Sequence, residues 1–169
     1  MIGARSSIGI VAGIIAGLCV WIMLGRANDE QAIRQRFADI VEAANRAPKV
    51  PVFEQIAIVR QAGTTLAPQT VGVLRSGASE RQYRVTRREV EERALGALKS
   101  GWRDLEVGVS GISVRVDGSA AEAELEVRIL GGLNGAEGMF HEHWGLKLAL
   151  TKIDAEWLIT RADGTNLRE

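Results

Sequence analysis

Residues 105–129 read LEVGVSGISVRVDGSAAEAELEVRI, and their hydrophobic pattern carries most of the fold prediction. Apolar and polar residues alternate along both halves, which is the period of strands that bury one face. The alternation slips by one residue at Ser110-Gly111, which predicts a β-bulge that bends the first strand. Asp117-Gly118 is a two-residue hairpin signal. The pattern therefore predicts two long antiparallel strands, the first of them bent.

The next residues extend this hairpin into a meander. After a glycine-rich loop at 131–138, the next strand carries on one face Phe140, Trp144, Leu146, Leu148 and Leu150. A turn near Asp154 leads into a last strand that contains Trp157 and Ile159. The chain beyond Trp102 is therefore predicted to form a curved antiparallel sheet of four long strands.

Helices are predicted ahead of this sheet. The first covers residues 28–44, with an apolar stripe made of Ile33, Phe37, Ile40, Val41 and Ala44. A shorter second helix is predicted at 52–62. A third begins at the capping box Thr86–Glu89, and its stripe consists of Val90, Ala94, Ala97 and Leu98. Three helices followed by an antiparallel meander predict an α+β domain over residues 28–169, with the helices on the apolar face of the sheet.

The segment between the second and third helices has a weak pattern. It contains a short β-like run at 70–74, a turn around Gly77 and a further strand near Tyr83.

Composition excludes several classes of protein. The chain has 169 residues, 46% apolar and 25% charged, with 21 basic and 21 acidic side chains. This balance argues against a disordered tail, and the arginines between Arg75 and Arg93 are interrupted by glutamates, so no nucleic-acid partner is expected. A single cysteine, Cys19, excludes an internal disulfide.

An uncharged run at residues 6–25 lies between Arg5 and Arg26. As a helix it is about 30 Å long, which matches the hydrocarbon core of a bilayer. A cleaved signal peptide and a lipid-modified Cys19 are the alternatives. An uncleaved transmembrane anchor over residues 1–27 is favoured because Arg26 occupies the expected cleavage region, and Leu18 precedes the cysteine.

Within this segment Gly9, Gly13 and Gly17 recur every four residues, which is a packing pattern between membrane helices. It predicts contact with a second copy or with another membrane subunit, although glycine is also common in membrane helices generally. We expect a single-pass protein of a bacterial-type inner membrane. The count of Lys and Arg slightly favours an inward domain, whereas signal anchors usually export the domain behind them, and we expect an exported domain.

These patterns resemble the nuclear transport factor two-like (SnoaL-like, cystatin-like) superfamily. The resemblance covers roughly residues 29–164 and rests on three features: Trp102-Arg103-Asp104-Leu105 after a capped helix, the strands joined at Asp117-Gly118, and a final Glu156-Trp157-Leu158-Ile159. It implies a cone with a pocket between the helices and a bent sheet. Members include isomerases, dehydratases, cyclases, protein-binding domains and anchored assembly modules of envelope machines.

The candidate chemistry lies on the strand that begins at Phe140. By alternation Glu142 shares a face with Phe140 and Trp144, where a desolvated carboxyl would be an acid–base group. The alternative is a wetted, inert Glu142 near the open end of the strand. Further pocket-lining candidates are Tyr83, Trp102 and Asp104.

His141 and His143 share the opposite face and form a candidate metal pair. The chain has no other histidine, so the third ligand would have to be a carboxylate of the neighbouring strand in the right register, such as Glu122, Glu124 or Glu126. An exposed or interface-facing strand surface is the simpler interpretation.

No nucleophile elbow, nucleotide loop or cofactor motif occurs, so no cofactor is expected. We expect a membrane-anchored, non-catalytic protein-interaction module that acts as an accessory or assembly subunit. The alternative is a small-molecule-binding or isomerase/dehydratase-like pocket for an apolar ligand, with Glu142 as the acid–base group.

Overall fold

The computed structural model describes residues 28–99, 101–133 and 139–167. Along the chain these form α1 (residues 28–46), a 3-10 turn (Ala47–Lys49), α2 (Val52–Gly63), β1 (Leu66–Ser76), β2 (Ser79–Thr86), α3 (Arg87–Lys99), β3 (Trp102–Asp117), β4 (Ala120–Leu133), β5 (Phe140–Ile153) and β6 (Glu156–Asn166). The domain is thus of the predicted α+β class.

All six strands join one sheet in the order β2-β1-β6-β5-β4-β3. Strands β3 to β6 form the predicted antiparallel meander. Strand β1 lies parallel to β6 and antiparallel to β2, so a second hairpin widens the sheet.

The hydrophobic core lies between the first half of α1 and one face of β3–β6. Ile33 and Phe37 of α1 are 1% and 6% exposed, and they belong to one buried cluster with Leu125, Leu150 and Trp157 of the sheet. Alternation places these sheet residues on a common face, as predicted.

Two local predictions are confirmed. The register of β3 against β4 shifts between Ser110 and Ser113, and Gly111 has φ 64°, a conformation that glycine adopts without strain. The capping box also forms: Glu89 accepts hydrogen bonds from the backbone N–H of Thr86 (2.7 Å) and from its hydroxyl (2.9 Å), and the Glu89 N–H donates to Thr86 Oγ (3.2 Å).

Two other predictions need correction. Asp117 pairs with Ala120, so the hairpin loop is Gly118-Ser119, one residue later than predicted. The weak segment at 64–85 forms two full strands, β1 and β2, where short runs were expected, and the sheet has six strands rather than four.

In the described ranges, no helix combines the length and hydrophobicity that crossing a bilayer requires. The predicted span at 6–25, with Gly9, Gly13 and Gly17, lies outside the described residues.

Candidate ligand-binding cavity

A cavity of about 540 Å³ lies between the second half of α1 and the sheet. Helices α2 and α3 form its other walls, and Leu105, Val107 and Ile129 of the sheet form its floor. Much of the helical lining is alanine: Ala43, Ala44, Ala47, Ala62, Ala94 and Ala97.

The end of α1 is fixed on the sheet by Asn45. Its amide Nδ2 donates to the carbonyl of Val107 (2.9 Å), and its Oδ1 accepts from the Val107 N–H (2.6 Å). The side chain therefore takes the place of a neighbouring strand along the edge strand β3.

Helix α3 is fixed at its start. The Arg87 guanidinium donates to the carbonyl of Leu66 from Nε (3.1 Å) and Nη2 (2.5 Å), and the capping box orders the same turn. None of the side chains of α3 between Arg87 and Lys99 is fully buried, because its apolar stripe faces the cavity rather than the core.

Two polar side chains lie among the described residues that line the cavity, Thr65 and Glu91. The Thr65 hydroxyl is already bonded to the carbonyl of Ala62 at 2.7 Å. Glu91 is the one ionisable group in this lining, and it is partly buried. Glu91 was not predicted as a site residue, although it sits between Val90 and Ala94 of the apolar stripe.

A second, more polar groove of about 320 Å³ lies between α1 and α2. Its walls include Arg36, Asp39, Glu42 and Arg46. The Nη1 atom of Arg36 is buried with no hydrogen-bond partner in the described part of the chain, while its Nη2 lies 3.8 Å from Glu156.

Glu142 lies beside the apolar cavity but is not among its described lining residues. It pairs across the sheet with Ile129, which does line the cavity, so the two residues share a face of the sheet. Its Oε2 accepts a hydrogen bond from Asn166 Nδ2 at 3.0 Å, and the side chain is partly buried.

Two of the pocket-lining candidates, Trp144 and Asp104, lie outside the described lining of this cavity. Trp144 is half-buried and pairs with Val127, and Asp104 is exposed with φ 51°; neither is among the described lining residues. The backbones of Trp102 and Phe140 pair with β4, opposite Leu133 and Gly131 respectively.

Tyr83 lies on the edge strand β2, on the far side of the sheet from β3. Its hydroxyl donates to the carbonyl of Ala162 on β6. Burial, with a smaller contribution from the charge of Asp163, raises the pKa of the Tyr83 phenol. Tyr83 therefore joins strands and is absent from the described cavity lining.

The two histidines of the candidate metal pair have different surroundings. His141 is exposed, and His143 Nε2 lies 3.0 Å from Glu126 Oε2. Across 28–99, 101–133 and 139–167, no group of three His, Cys, Asp or Glu side chains is placed to hold a metal ion.

No family model and no curated protein matches this chain. Among solved structures, hexachlorocyclohexane dehydrochlorinase (LinA) type 2 is similar, with a TM-score of 0.65, 12% identity and coverage of 86% of this chain and 89% of that one. An NTF2-like protein with a cystatin-like fold from Novosphingobium aromaticivorans has a TM-score of 0.60 and 13% identity, with coverage of 90% and 89%. The fold is that of the nuclear transport factor two-like proteins.

A third similar structure is a ketosteroid isomerase-like protein from Erwinia carotovora atroseptica, with a TM-score of 0.54, 15% identity and coverage of 82% of this chain and 96% of that one. The comparison corrects the expected function. The named neighbours include a dehydrochlorinase and an isomerase-like protein, which favours the alternative of a small-molecule pocket over a non-catalytic membrane accessory subunit.

Proposed function

We propose that this chain binds a small, mostly apolar molecule in the alanine-lined cavity between α1, α2, α3 and the sheet. The single observation that carries the proposal is the cavity itself, about 540 Å³ in volume, with an almost wholly apolar lining. Small-molecule sites in proteins have volumes of roughly 300–1,000 Å³ and combine apolar walls with few polar groups.

The similar solved structures support the kind of ligand that we propose. A dehydrochlorinase and an isomerase-like protein share the fold at 12% and 15% identity, which supports a site for small organic molecules in this architecture. Glu142 as an acid–base group stays a prediction, because Glu142 is not among the described lining residues, although its strand partner Ile129 is. Turnover by a Glu142→Gln variant of the full chain tests that role once a substrate is known.

Alanine methyl NMR tests the binding directly. The full chain, labelled at its alanine methyl groups, is titrated with 2-methylnaphthalene in phosphatidylcholine nanodiscs. We expect saturable shifts from cavity alanines such as Ala44 and Ala94, and none from the exposed Ala38 and Ala57. Aromatic ring currents make such shifts easy to detect.

A matched pair of variants on α1 supplies the control. Ala44→Phe places a ring in the cavity and is expected to abolish the shifts, whereas Ala38→Phe on the exposed face of the same helix leaves them intact. Unchanged cavity methyl signals throughout the wild-type titration would refute the proposal. Equal responses of the two variants would place the ligand elsewhere.

The membrane anchor at 1–27 and an exported domain on the inner membrane stay predictions, because the apolar run lies outside the described residues. Resistance of the full chain to carbonate extraction, with protease access from the outer side, is the expected result. Release of the chain into the aqueous fraction would contradict the anchor.

A further inference from the structure

We infer that Glu91 recognises a cationic amine on an otherwise apolar ligand. The inference rests on the proposed function, because it concerns the contents of the same cavity. The lining carries one carboxylate, which faces alanine, valine, leucine and isoleucine side chains. The other polar side chain, Thr65, is already hydrogen-bonded within the protein.

The carboxylate of Glu91 is not neutralised by its own helix. The arginines one turn before it are bonded elsewhere: Arg87 donates to the carbonyl of Leu66, and Arg88 pairs with Glu92 at 2.7 Å. Within the described ranges, Glu91 itself has no hydrogen bond or ion pair. A negative charge in apolar surroundings gains most from an opposite charge that enters with the ligand.

Gly63 makes the room that this carboxylate occupies. A methyl group at Gly63 would lie 2.9 Å from Glu91 Cγ and closer still to Oε1. The φ angle of Gly63 is outside the left-handed region, so the backbone does not itself require glycine there. The absence of a side chain at Gly63 therefore serves the position of Glu91.

The chemistry of the ligand is set by this arrangement. Its body is apolar, because the walls offer dispersion contacts and few hydrogen-bonding groups. Its polar group is a single ammonium near Gly63, where Glu91 supplies a charge-assisted hydrogen bond. Anionic analogues are repelled, because no described lining residue is basic.

Three probes with one ring system test the inference: 2-naphthylmethylamine, 2-methylnaphthalene and 2-naphthoate. Affinities for the full chain are measured by the alanine methyl titration in zwitterionic nanodiscs at pH 7. We expect the amine to bind about tenfold more tightly than 2-methylnaphthalene, the ratio that a charged hydrogen bond typically supplies. The carboxylate probe is expected to bind most weakly.

Variants assign the preference to Glu91. Glu91→Gln is expected to reduce the amine preference to about twofold or less while 2-methylnaphthalene still binds. Glu92→Gln, the same change one residue along α3 at an exposed site, retains the preference. Gly63→Ala displaces the carboxylate and is expected to lower the preference, provided its circular dichroism matches the wild type.

The outcomes separate the two proposals. If 2-methylnaphthalene binds but the amine preference is absent, or persists in Glu91→Gln, the assignment of Glu91 is wrong and the cavity proposal stands. If none of the three probes shifts the cavity alanines, both proposals fall. If Gly63→Ala does not fold, the contrast between Glu91→Gln and Glu92→Gln decides alone.

Discussion

Replacing Asp29 tests how the start of α1 is fastened to the sheet. Its Oδ1 accepts hydrogen bonds from Lys152 Nζ at 2.7 Å and from Trp157 Nε1 at 3.2 Å. The Lys152 ammonium also lies 5.6 Å from the centroid of the Trp157 ring. One carboxylate thus joins the helix to both strands of the β5–β6 hairpin.

These contacts determine how much stability the fold loses when Asp29 is replaced. Trp157 is 4% exposed, so removing the acceptor of its indole N–H costs about 1–2 kcal/mol. The side chains of Lys152 and Asp29 are 34% and 23% exposed, so water screens the ion pair and limits its contribution to about 0.5–1 kcal/mol. We expect Asp29→Ala to lower the free energy of unfolding by about 2 kcal/mol. Asp29→Asn keeps an acceptor for Trp157 and is expected to cost less.

Acid removes this stabilisation. Burial alone would raise the pKa of Asp29, but the hydrogen bonds from Lys152 and Trp157 and the ammonium charge together lower it below its ordinary value of 3.8. A carboxyl whose pKa is lower in the folded state stabilises the fold fully above its ordinary pKa. The stabilisation is then lost as the pH falls through the lowered value.

Urea denaturation of the full chain, followed by tryptophan fluorescence, measures the effect. The difference in unfolding free energy between wild type and Asp29→Asn should be largest near pH 7 and shrink as the solution is acidified below pH 4. Glu30→Gln removes a charge from the neighbouring residue of α1 and controls for charge effects on the helix itself. A difference that stays constant with pH, or that Glu30→Gln reproduces, would refute the assignment to Lys152 and Trp157.

Further substitutions probe the turns and close contacts of the fold. Ala155→Gly should raise the free energy of unfolding by about 0.5–1 kcal/mol in thermal denaturation, because Ala155 has φ 67° in a two-residue hairpin turn that favours glycine. Gly72→Ala should lower it by about 3 kcal/mol, because the added methyl meets Tyr83 Cζ at 2.7 Å and the carbonyl of Ala162; a well-folded variant of wild-type stability would contradict this packing. Thr86→Ala should cost about 1 kcal/mol and speed amide hydrogen exchange at the start of α3, with no change expected in β3.

The meander was predictable because its pattern is regular. Residues 121–129 alternate without interruption, and the structure pairs them with both β3 and β5 in that phase. The bulge at Ser110-Gly111 was predictable for the same reason, since a break in a clean alternation is easily located. The hairpin loop shifted by one residue because the turn uses the positive φ of Gly118 at its first position rather than its second.

Strands β1 and β2 were hard to predict for physical reasons. The register of β1 against β6 shifts between Leu66 and Val71, so its burial does not alternate, and Pro68 interrupts the run. Strand β2 lies at the edge of the sheet and is mostly exposed, so it lacks an apolar face to give a period. Backbone pairing with β1 fixes the position of β2, and the hydrophobic pattern of the sequence does not indicate that pairing.

The candidate site was predictable in part. Alternation predicted Glu142 on the inner face, and in the structure Glu142 pairs with Ile129, a residue of the described cavity lining. The distance of Glu142 from the cavity depends on where the helices cross the sheet, which the period of a strand does not encode. Glu91 was not predicted because a glutamate in a charged helix is usually solvated. Its partial burial depends on the packing of α2 against α3 at Gly63, which the sequence pattern does not indicate.

The cavity does leave a signal in the sequence, in the size of the apolar residues. Along α1 the stripe begins with Ile33 and Phe37, which are buried against the sheet, and ends with Ala43 and Ala44, which line the cavity together with Ala47 of the following 3-10 turn. Alanine preserves the helical period while it leaves the space of a larger side chain unfilled, and unfilled space in a protein costs packing energy. The change from large to small residues within one stripe therefore marks the point where the core gives way to the cavity. Helix α3 repeats the pattern with Ala94 and Ala97, which is why it can be amphipathic and yet bury none of its described side chains fully.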